Sequence, residues 1–413
     1  MGRCSVKNEK HYFINRIKIL IMKPVYVVGY GMIDSLGNNP KDCFDKMLDN
    51  KDYSSDIPEL KAENAKVFRG AIFNPDDCII PKDFDIKMLR SMTNAQKMML
   101  HAVDAALKMS NLPHHYDVAT LLSTVSNDTE FLDELYLPTK NHKRVNPRKS
   151  ANRIPDMGCS HISSHYKFMG LSAATFASCS TGLVTIDYGM RLVDEYEYVI
   201  VGGSDAGCFP MAIKYFNTLG AVGNYSMPFD NDRTGFLMGD GCGVLILQSE
   251  AMVKKYGSKV FAKLYPCGMA SDALDMTSPA NDGRGARISM SKATKDIGEI
   301  DFVCAHATST PVGDPIEYET VVSFLGEKPI WAPKSKIGHT LAAAGVLECI
   351  YAILSMQRGI IPHIQNLKSA FCDTKNILVR ENLNTNKKVL RTLNNSFGFG
   401  GKCMSQVIEV NKE

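Results

Sequence analysis

AATFASCSTGLVTIDYGMRL, Ala173 to Leu192, is the stretch on which the fold turns. It reads as a short apolar strand, a tight turn of small residues and then a long helix. Cys179 stands where strand hands over to helix. There the first backbone N–H groups of the helix are unpaired, and its dipole adds partial positive charge. A thiol so placed is expected as a thiolate, with the free-cysteine pKa of about 8.5 lowered by about a unit or more. Ser178, Ser180, Thr181 and Gly182 leave room for a reactant to approach the sulfur. A buried structural cysteine is the competing reading, because free Cys is among the most buried residue types. The stretch alone leaves both open.

Composition narrows the class. The 413 residues are 45% hydrophobic and 22% charged, ordinary globular material with enough chain for a sizeable core. A net charge of +3 gives no reason to expect a nucleic-acid partner. The 12 cysteines include no C-x-x-C pair and no Cys/His cluster at zinc spacing, which argues against a disulfide framework and a structural metal. A cytoplasmic location is expected. Residues 1–21 are basic with one apolar patch interrupted by Arg16 and Lys18, too short to span a bilayer. They read as a disordered extension before a first strand at Val25, so neither a membrane span nor a cleaved signal is expected.

Along the chain, Pro24–Asn39 reads as a strand ending in a Gly-rich loop. Gly29 and Gly31 begin a dinucleotide fingerprint, but Asp34 occupies the third glycine position, so no cofactor site is expected. Asn39-Pro40 starts a helix through Leu48. Met88–Met109 carries apolar residues at helical spacing and predicts one long packed helix. Residues 137–152 form a basic loop. His161 and His165, spaced i,i+4 without a third ligand, read as helix residues. Tyr198–Ser204 reads as a buried parallel strand. In Pro228–Glu250, Asp230, Asp232 and Arg233 can pair with one another to fix a turn. From Glu250 the alternation of strand and helix restarts, including a strand over Lys259–Ala270. The chain thus divides into an extension (1–21), a first half (22–250) and a second half (251–413), each half expected to hold a mainly parallel sheet.

Two further blocks carry chemistry. In FVCAHATSTPVGDPIEYET (Phe302–Thr320) a strand ends at His306, a hydroxyl-rich turn follows, and a helix starts near Asp314. In KSKIGHTLAAAGVLECIYAIL (Lys334–Leu354) a basic turn and His339 precede a helix apolar on nearly every face, which must lie in a large core. Two histidines at strand-end or helix-start positions, with a helix-start cysteine, predict a Cys–His–His site.

ASCSTG around Cys179, PFDNDRTGFLMGDGCGVLIL, HATSTPVGDPIE, KSKIGHTLAAAGVLE and NSFGFGG (Asn395–Gly401) follow one another as they do in β-ketoacyl-acyl-carrier-protein synthases, which the chain resembles over residues 22–413. The resemblance implies a thiolase-like five-layer α-β-α-β-α fold built from two related halves, and a decarboxylative condensation in fatty-acid or polyketide synthesis. It also implies residue roles. Cys179 would take the acyl chain as a thioester. His306 and His339 would assist malonyl decarboxylation and stabilise the enolate, and Lys334 would hold the network with Glu348 as partner. Phe399 would be the gate, its N–H forming the oxyanion hole with that of Cys179. Thr308 and Thr310 would bond the phosphopantetheine arm, and Asp314 would support the loop. No bound cofactor or metal is implied, because the substrates ride on an acyl carrier protein. That carrier is acidic in this family, making Lys143, Arg144, Arg148 and Lys149 its candidate dock. A homodimer is implied, or a heterodimer with a related subunit.

The chain departs from the pattern at Ala307, usually Gly, at Lys402-Cys403, commonly Thr-Asn, and at Asp275, often His; these positions bear on chain preference. A thiolase would need a second cysteine in a Cys-x-Gly motif, and Cys403 follows its glycines instead. An acetyl-coenzyme-A-primed enzyme would put Asn in place of one histidine. A non-catalytic chain-length partner would lack the nucleophile that Cys179 supplies.

Overall fold

A computed structural model describes residues 23–126, 140–141, 144, 146–371 and 376–412. The extension at 1–21 and Lys143 lie outside them. The first half runs β1 (Val25–Asp34), α1 (Asn94–Ser110), β2 (Val118–Ser123), α2 (Met157–Tyr166), β3 (Ser172–Ala173), α3 (Thr181–Met190), β4 (Tyr198–Ala206) and β5 (Met238–Gln248). The second runs β6 (Ala262–Leu264), β7 (Gly268–Ser271), α4 (Arg284–Ala293), β8 (Phe302–Cys304), α5 (Gly313–Leu325), β9 (Ile330–Trp331), α6 (Ala344–Arg358), β10 (Val389–Gly398) and β11 (Lys402–Asn411).

The two halves repeat one topology. Strand order is β3-β2-β4-β5-β1 in the first and β9-β8-β10-β11-β6 in the second. In each, the second strand in that order is parallel to both neighbours, and the last two pairings are antiparallel. A pairing of β1 with β6 joins the two sheets into one ladder. The expected mainly parallel sheets are therefore mixed. Tyr198–Ala206 is parallel to β2 on one side and antiparallel to β5 on the other.

Helices sort into layers around the sheets. α1 packs on β1, β5 and β4, and α4 on β7 and β11 with α5 beside it. Between the sheets lie α3, against β4 and β11, and α6, against β5, β10 and β11. The result is α-β-α-β-α. Burial between two sheets explains why α6 is apolar all round: every side chain from Ala344 to Met356 is buried. The span Leu341–Arg358 is apolar and long enough to cross a membrane by composition, yet it is the central core helix, 89% buried.

Local physics accounts for several departures from the sequence reading. The helix expected over Met88–Met109 begins at Asn94, because Thr93 and Gln96 close a reciprocal capping box there. Met88 and Leu89 belong to a separate turn, Ile86–Leu89. The strand expected over Lys259–Ala270 is split into β6 and β7. Asp230 does not pair with Arg233; its carboxylate accepts the N–H groups of Asp232, Lys368 and Ser369, while Arg233 donates to the carbonyls of Asp230, Thr310 and Pro311. His161 and His165 lie on α2, as expected.

Gly29 and Gly31 sit inside β1, not in a loop. They are there because α1 crosses at backbone distance: a Cβ on Gly31 would lie 2.0 Å from the Ala102 carbonyl oxygen, and one on Gly29 2.6 Å from that of Ala106. Gly31→Ala should therefore force α1 off the sheet and destabilise the protein by about 2–3 kcal/mol, read from the urea midpoint. An unchanged midpoint would contradict this packing.

Candidate active site

Cys179 lies on the turn between β3 and α3. The turn closes on itself: Ser180 Oγ donates to Ala177 O (2.8 Å), Thr181 Oγ1 donates to Ser178 O (2.6 Å) and accepts from Ala177 N (2.8 Å). Ser178 takes a left-handed φ of +52°. Small residues are needed on both sides of this turn. A Cβ on Gly398 would stand 2.8 Å from Ala177 O, and one on Gly182 2.8 Å from Ala342 O, where α3 meets the start of the core helix.

The structure brings Cys179, His306 and His339 to the wall of a single cavity of about 390 Å³, which Thr308, Thr310, Asp314 and Phe399 also line. The two imidazoles meet edge to face with centroids 5.5 Å apart. His339 is held from behind by its backbone, its N–H bonding Leu237 O (2.7 Å) and its carbonyl accepting from Gly239 N (3.1 Å). Among the described residues, neither of its ring nitrogens has a partner, although the side chain is buried. A buried imidazole without partners leaves its donor and acceptor available to a guest.

Lys334 and Glu348 lie behind the wall, 1% and 0% exposed, as an ion pair. The Lys334 ammonium also stands 3.2 Å from His306 Nδ1. An ammonium only donates, so Nδ1 accepts and the His306 proton resides on Nε2. Burial, then the Lys334 charge, holds the pKa of His306 well below its usual value, and the same two causes act on His339. Both rings are therefore neutral donors near pH 7, as a developing oxyanion requires.

The electrostatics at sulfur differ from the sequence expectation. Lys334 and the Phe399 N–H pull the Cys179 pKa down, but burial outweighs them and pushes the thiol up to about 11. The helix itself begins only at Thr181, with Ser180 as its cap. Its dipole thus does not make a standing thiolate in a desolvated pocket. Phe399 lines the same cavity as Cys179, at the tip of the hairpin whose Gly398 packs against the Cys179 backbone N–H.

Thr308 and Thr310 hydroxyls lie 3.3 Å apart, and Thr310 Oγ1 accepts from Gly313 N (3.1 Å). Asp314 accepts the N–H of Phe229 (2.8 Å), and burial raises its pKa to about 7. Where a basic loop is expected, Pro147–Ala151 is a short helix capped by Asn146; it carries the exposed Arg148 and part-buried Lys149 and is tied through Asn152 to Ser91 and Gln96, which are not cavity residues. Arg144 is exposed nearby in sequence.

Sequence reasoning missed Glu317. Its carboxylate accepts the backbone N–H groups of His306 (2.9 Å) and Ala307 (2.7 Å) and the Asn395 amide (3.2 Å), fixing the histidine's strand end. The signal was present: an acid on the inward face of α5, 4% exposed. Asp205 was missed too. It ties the end of β4 to Thr124 Oγ1 (2.7 Å), Ser126 N (2.8 Å) and Ala342 N (2.7 Å).

Because burial opposes ionisation of the thiol, alkylation of Cys179 by iodoacetamide should accelerate about tenfold per pH unit from about pH 7 to 9 without levelling off. Peptide mass spectrometry reads this directly, and a plateau near neutrality would contradict the burial argument.

Comparison with known proteins agrees with this architecture. Residues 22–252 match the family described as Beta-ketoacyl synthase, N-terminal domain, and residues 261–368 match Beta-ketoacyl synthase, C-terminal domain. A 3-oxoacyl-[acyl-carrier-protein] synthase 2 from Vibrio harveyi is 30% identical over 418 residues, covering 93% of this chain and 98% of the relative. Among solved structures, a Beta-ketoacyl synthase from Burkholderia phymatum STM815 superposes with a TM-score of 0.85 at 23% identity, covering 95% of this chain and 100% of that one. A type II PKS acyl-carrier protein in complex with its ketosynthase gives a TM-score of 0.82 at 21% identity, covering 95% and 100%. Those two likenesses are of fold. The family match over more than half the chain, with the full-length relative, leads to one conclusion: the chain belongs to the β-ketoacyl synthase family of condensing enzymes.

Proposed function

We propose that this protein joins a Cys179-bound acyl chain to a malonyl unit, releasing carbon dioxide and a 3-oxoacyl thioester, with both substrates delivered on acyl carrier protein. The observation that carries the reading is the convergence of one thiol and two neutral imidazoles on one cavity. In the first step the sulfur attacks the acyl thioester carbon. The carrier's carbon–sulfur bond breaks, and its thiol departs with the proton. The oxyanion formed on the way is met by the N–H groups of Cys179 and Phe399. In the second step a malonyl thioester enters. Its carbon–carboxylate bond breaks, and the electron pair moves onto the thioester oxygen as an enolate. The N–H donors of His306 and His339 stabilise that oxygen, each worth about 3–4 kcal/mol in a dry site. The enolate carbon then attacks the acyl carbon, and Cys179 leaves as thiolate.

No step needs a redox or pyridoxal group. Thr308 and Thr310 sit on the cavity wall, where the thin arm of the carrier would run. Arg233 grips the carbonyls of Thr310 and Pro311 and so holds the turn that presents them.

A homodimer is part of this reading. Among the described residues no strand pairs with the outer edge of β3, and Met169, Leu171 and Phe176, just before and after it in the chain, are 77%, 42% and 54% exposed. An open strand edge with exposed apolar neighbours favours association with a second copy.

Intact mass after incubation with an acyl thioester should gain one acyl group in the wild type and none in Cys179→Ala. Label on Cys208 or Cys403 would remove the assignment. His306→Ala and His339→Ala should each slow malonyl decarboxylation by about 100-fold or more while Cys179 is still acylated; wild-type condensation in both would make the histidines structural. In sedimentation, Leu171→Arg with Phe176→Glu should convert a dimer to a monomer, whereas a monomeric wild type would refute the edge assignment.

A further inference from the structure

The hairpin that carries the Phe399 N–H is fastened to the nucleophile's turn by a side chain that no role above uses. β10 and β11 pair down to Gly398 opposite Lys402, leaving Phe399, Gly400 and Gly401 as the tip. Gly400 and Gly401 both take left-handed φ values, +81° and +67°, so the tip bends back tightly. One flank of the tip is held by backbone bonds: Gly400 N–H donates to Met276 O (2.7 Å), and Gly401 O accepts from Asp272 N (2.8 Å). The Asp272 loop is itself firm, since its carboxylate caps the N–H groups of Ala280 and Gly285, both at 3.0 Å.

The other flank faces Cys179, and there Lys402 crosses the gap. Its ammonium donates to Ser178 Oγ at 3.1 Å. It also passes over the tip: a Cβ on Gly400 would stand 3.6 Å from Lys402 Nζ. Among the described residues, no carboxylate forms an ion pair with Lys402. Its partner is a neutral hydroxyl on the residue directly before the nucleophile, itself held at a left-handed φ. Below this tether the contact is backbone against backbone, since Gly398 lies against Ala177 O and Cys179 N.

We propose that Lys402 and Ser178 form a latch that positions the Phe399 N–H over the Cys179 sulfur, making Lys402 a positioning residue for acyl transfer. The proposal deepens the reading of the site above and rests on its oxyanion-hole role for Phe399. An N–H donor lowers a barrier only if it is already in place when negative charge develops. A two-glycine tip has little stiffness of its own. With one flank bonded to the Met276 loop and the other to Ser178, it is fixed at both ends. Releasing the Ser178 end would let the tip swing on its Met276 anchor and draw the donor away from the sulfur. The hydroxyl and the ammonium act as one pair, so removing either should do what removing both does.

The test is the rate of Cys179 acylation, followed by intact mass, with an uncharged hexanoyl thioester of N-acetylcysteamine. At saturating thioester, Lys402→Met and Ser178→Ala should each be about fivefold slower, the scale of one net hydrogen bond. The concentration for half-maximal rate should be unchanged, Lys402→Arg should restore the wild-type rate, and the double variant should be no slower than either single one. The salt dependence should match wild type, because the contact is short-range. A wild-type rate in Lys402→Met, multiplicative losses in the double variant, or a loss seen only with carrier-bound donor would overturn the latch; the last would make Lys402 a docking residue. Absence of acylation on Cys179 in the wild type would overturn the site reading on which the latch rests.

Discussion

The buried Lys334 cation organises the floor of the cavity. Lys334 is enclosed between Glu348 on the core helix and His306 at the end of β8. Desolvating both ions is costly, and their mutual attraction with the added histidine contact offsets it only while all three groups stay in place. Removing one partner would leave an uncompensated buried charge, a loss of about 3–5 kcal/mol. The geometry is therefore held by necessity, and its chemical consequence is the protonation state of His306. Burial and the adjacent positive charge both oppose an imidazolium. The ring is fixed as a neutral donor at Nε2, which suits an oxyanion better than a cation that would trap the malonyl carboxylate.

Packing supplies the second constraint. The Cys179 turn, the β10–β11 hairpin and the start of the core helix approach at backbone distance, which only glycine allows at Gly182, Gly203 and Gly398. On the far side, Glu317 fixes the His306 and Ala307 backbone, and Asp205 draws the ends of β2 and β4 toward Ala342. A buried carboxylate thus ties a strand end in each sheet to segments that flank the cavity. Ala307 keeps a left-handed φ of +29° in this frame while its N–H is bonded to Glu317. That arrangement stores local strain beside the His306 ring.

Much of this was legible in the sequence. The convergence of Cys179, His306 and His339 on one cavity was readable because each sits in a small-residue turn beside an apolar run, a pattern that a core element has no need of. The all-round apolar α6 announced a helix buried in a large core, and the structure places it between the two sheets. What was not legible depended on contacts between distant segments. Glu317 is one acid among many in the sequence, and becomes special only when β8 ends above it. Gly29 and Gly31 mimicked a loop signal because the close crossing of α1 is invisible until the chain folds. The shift of the Cys179 thiol was misjudged for a related reason: position in the sequence implied the dipole, but the degree of burial that outweighs it is a tertiary property.

The account stands or falls on the proton of His306. Nitrogen-15 spectra of histidine-labelled protein, with His306 assigned through His306→Gln, report the tautomer and charge of the ring. The account predicts a neutral ring with its proton on Nε2 throughout about pH 6 to 8, held so by the buried charge. In Lys334→Met that preference should be lost. An imidazolium in this range, or a proton on Nδ1 facing Lys334, would contradict it.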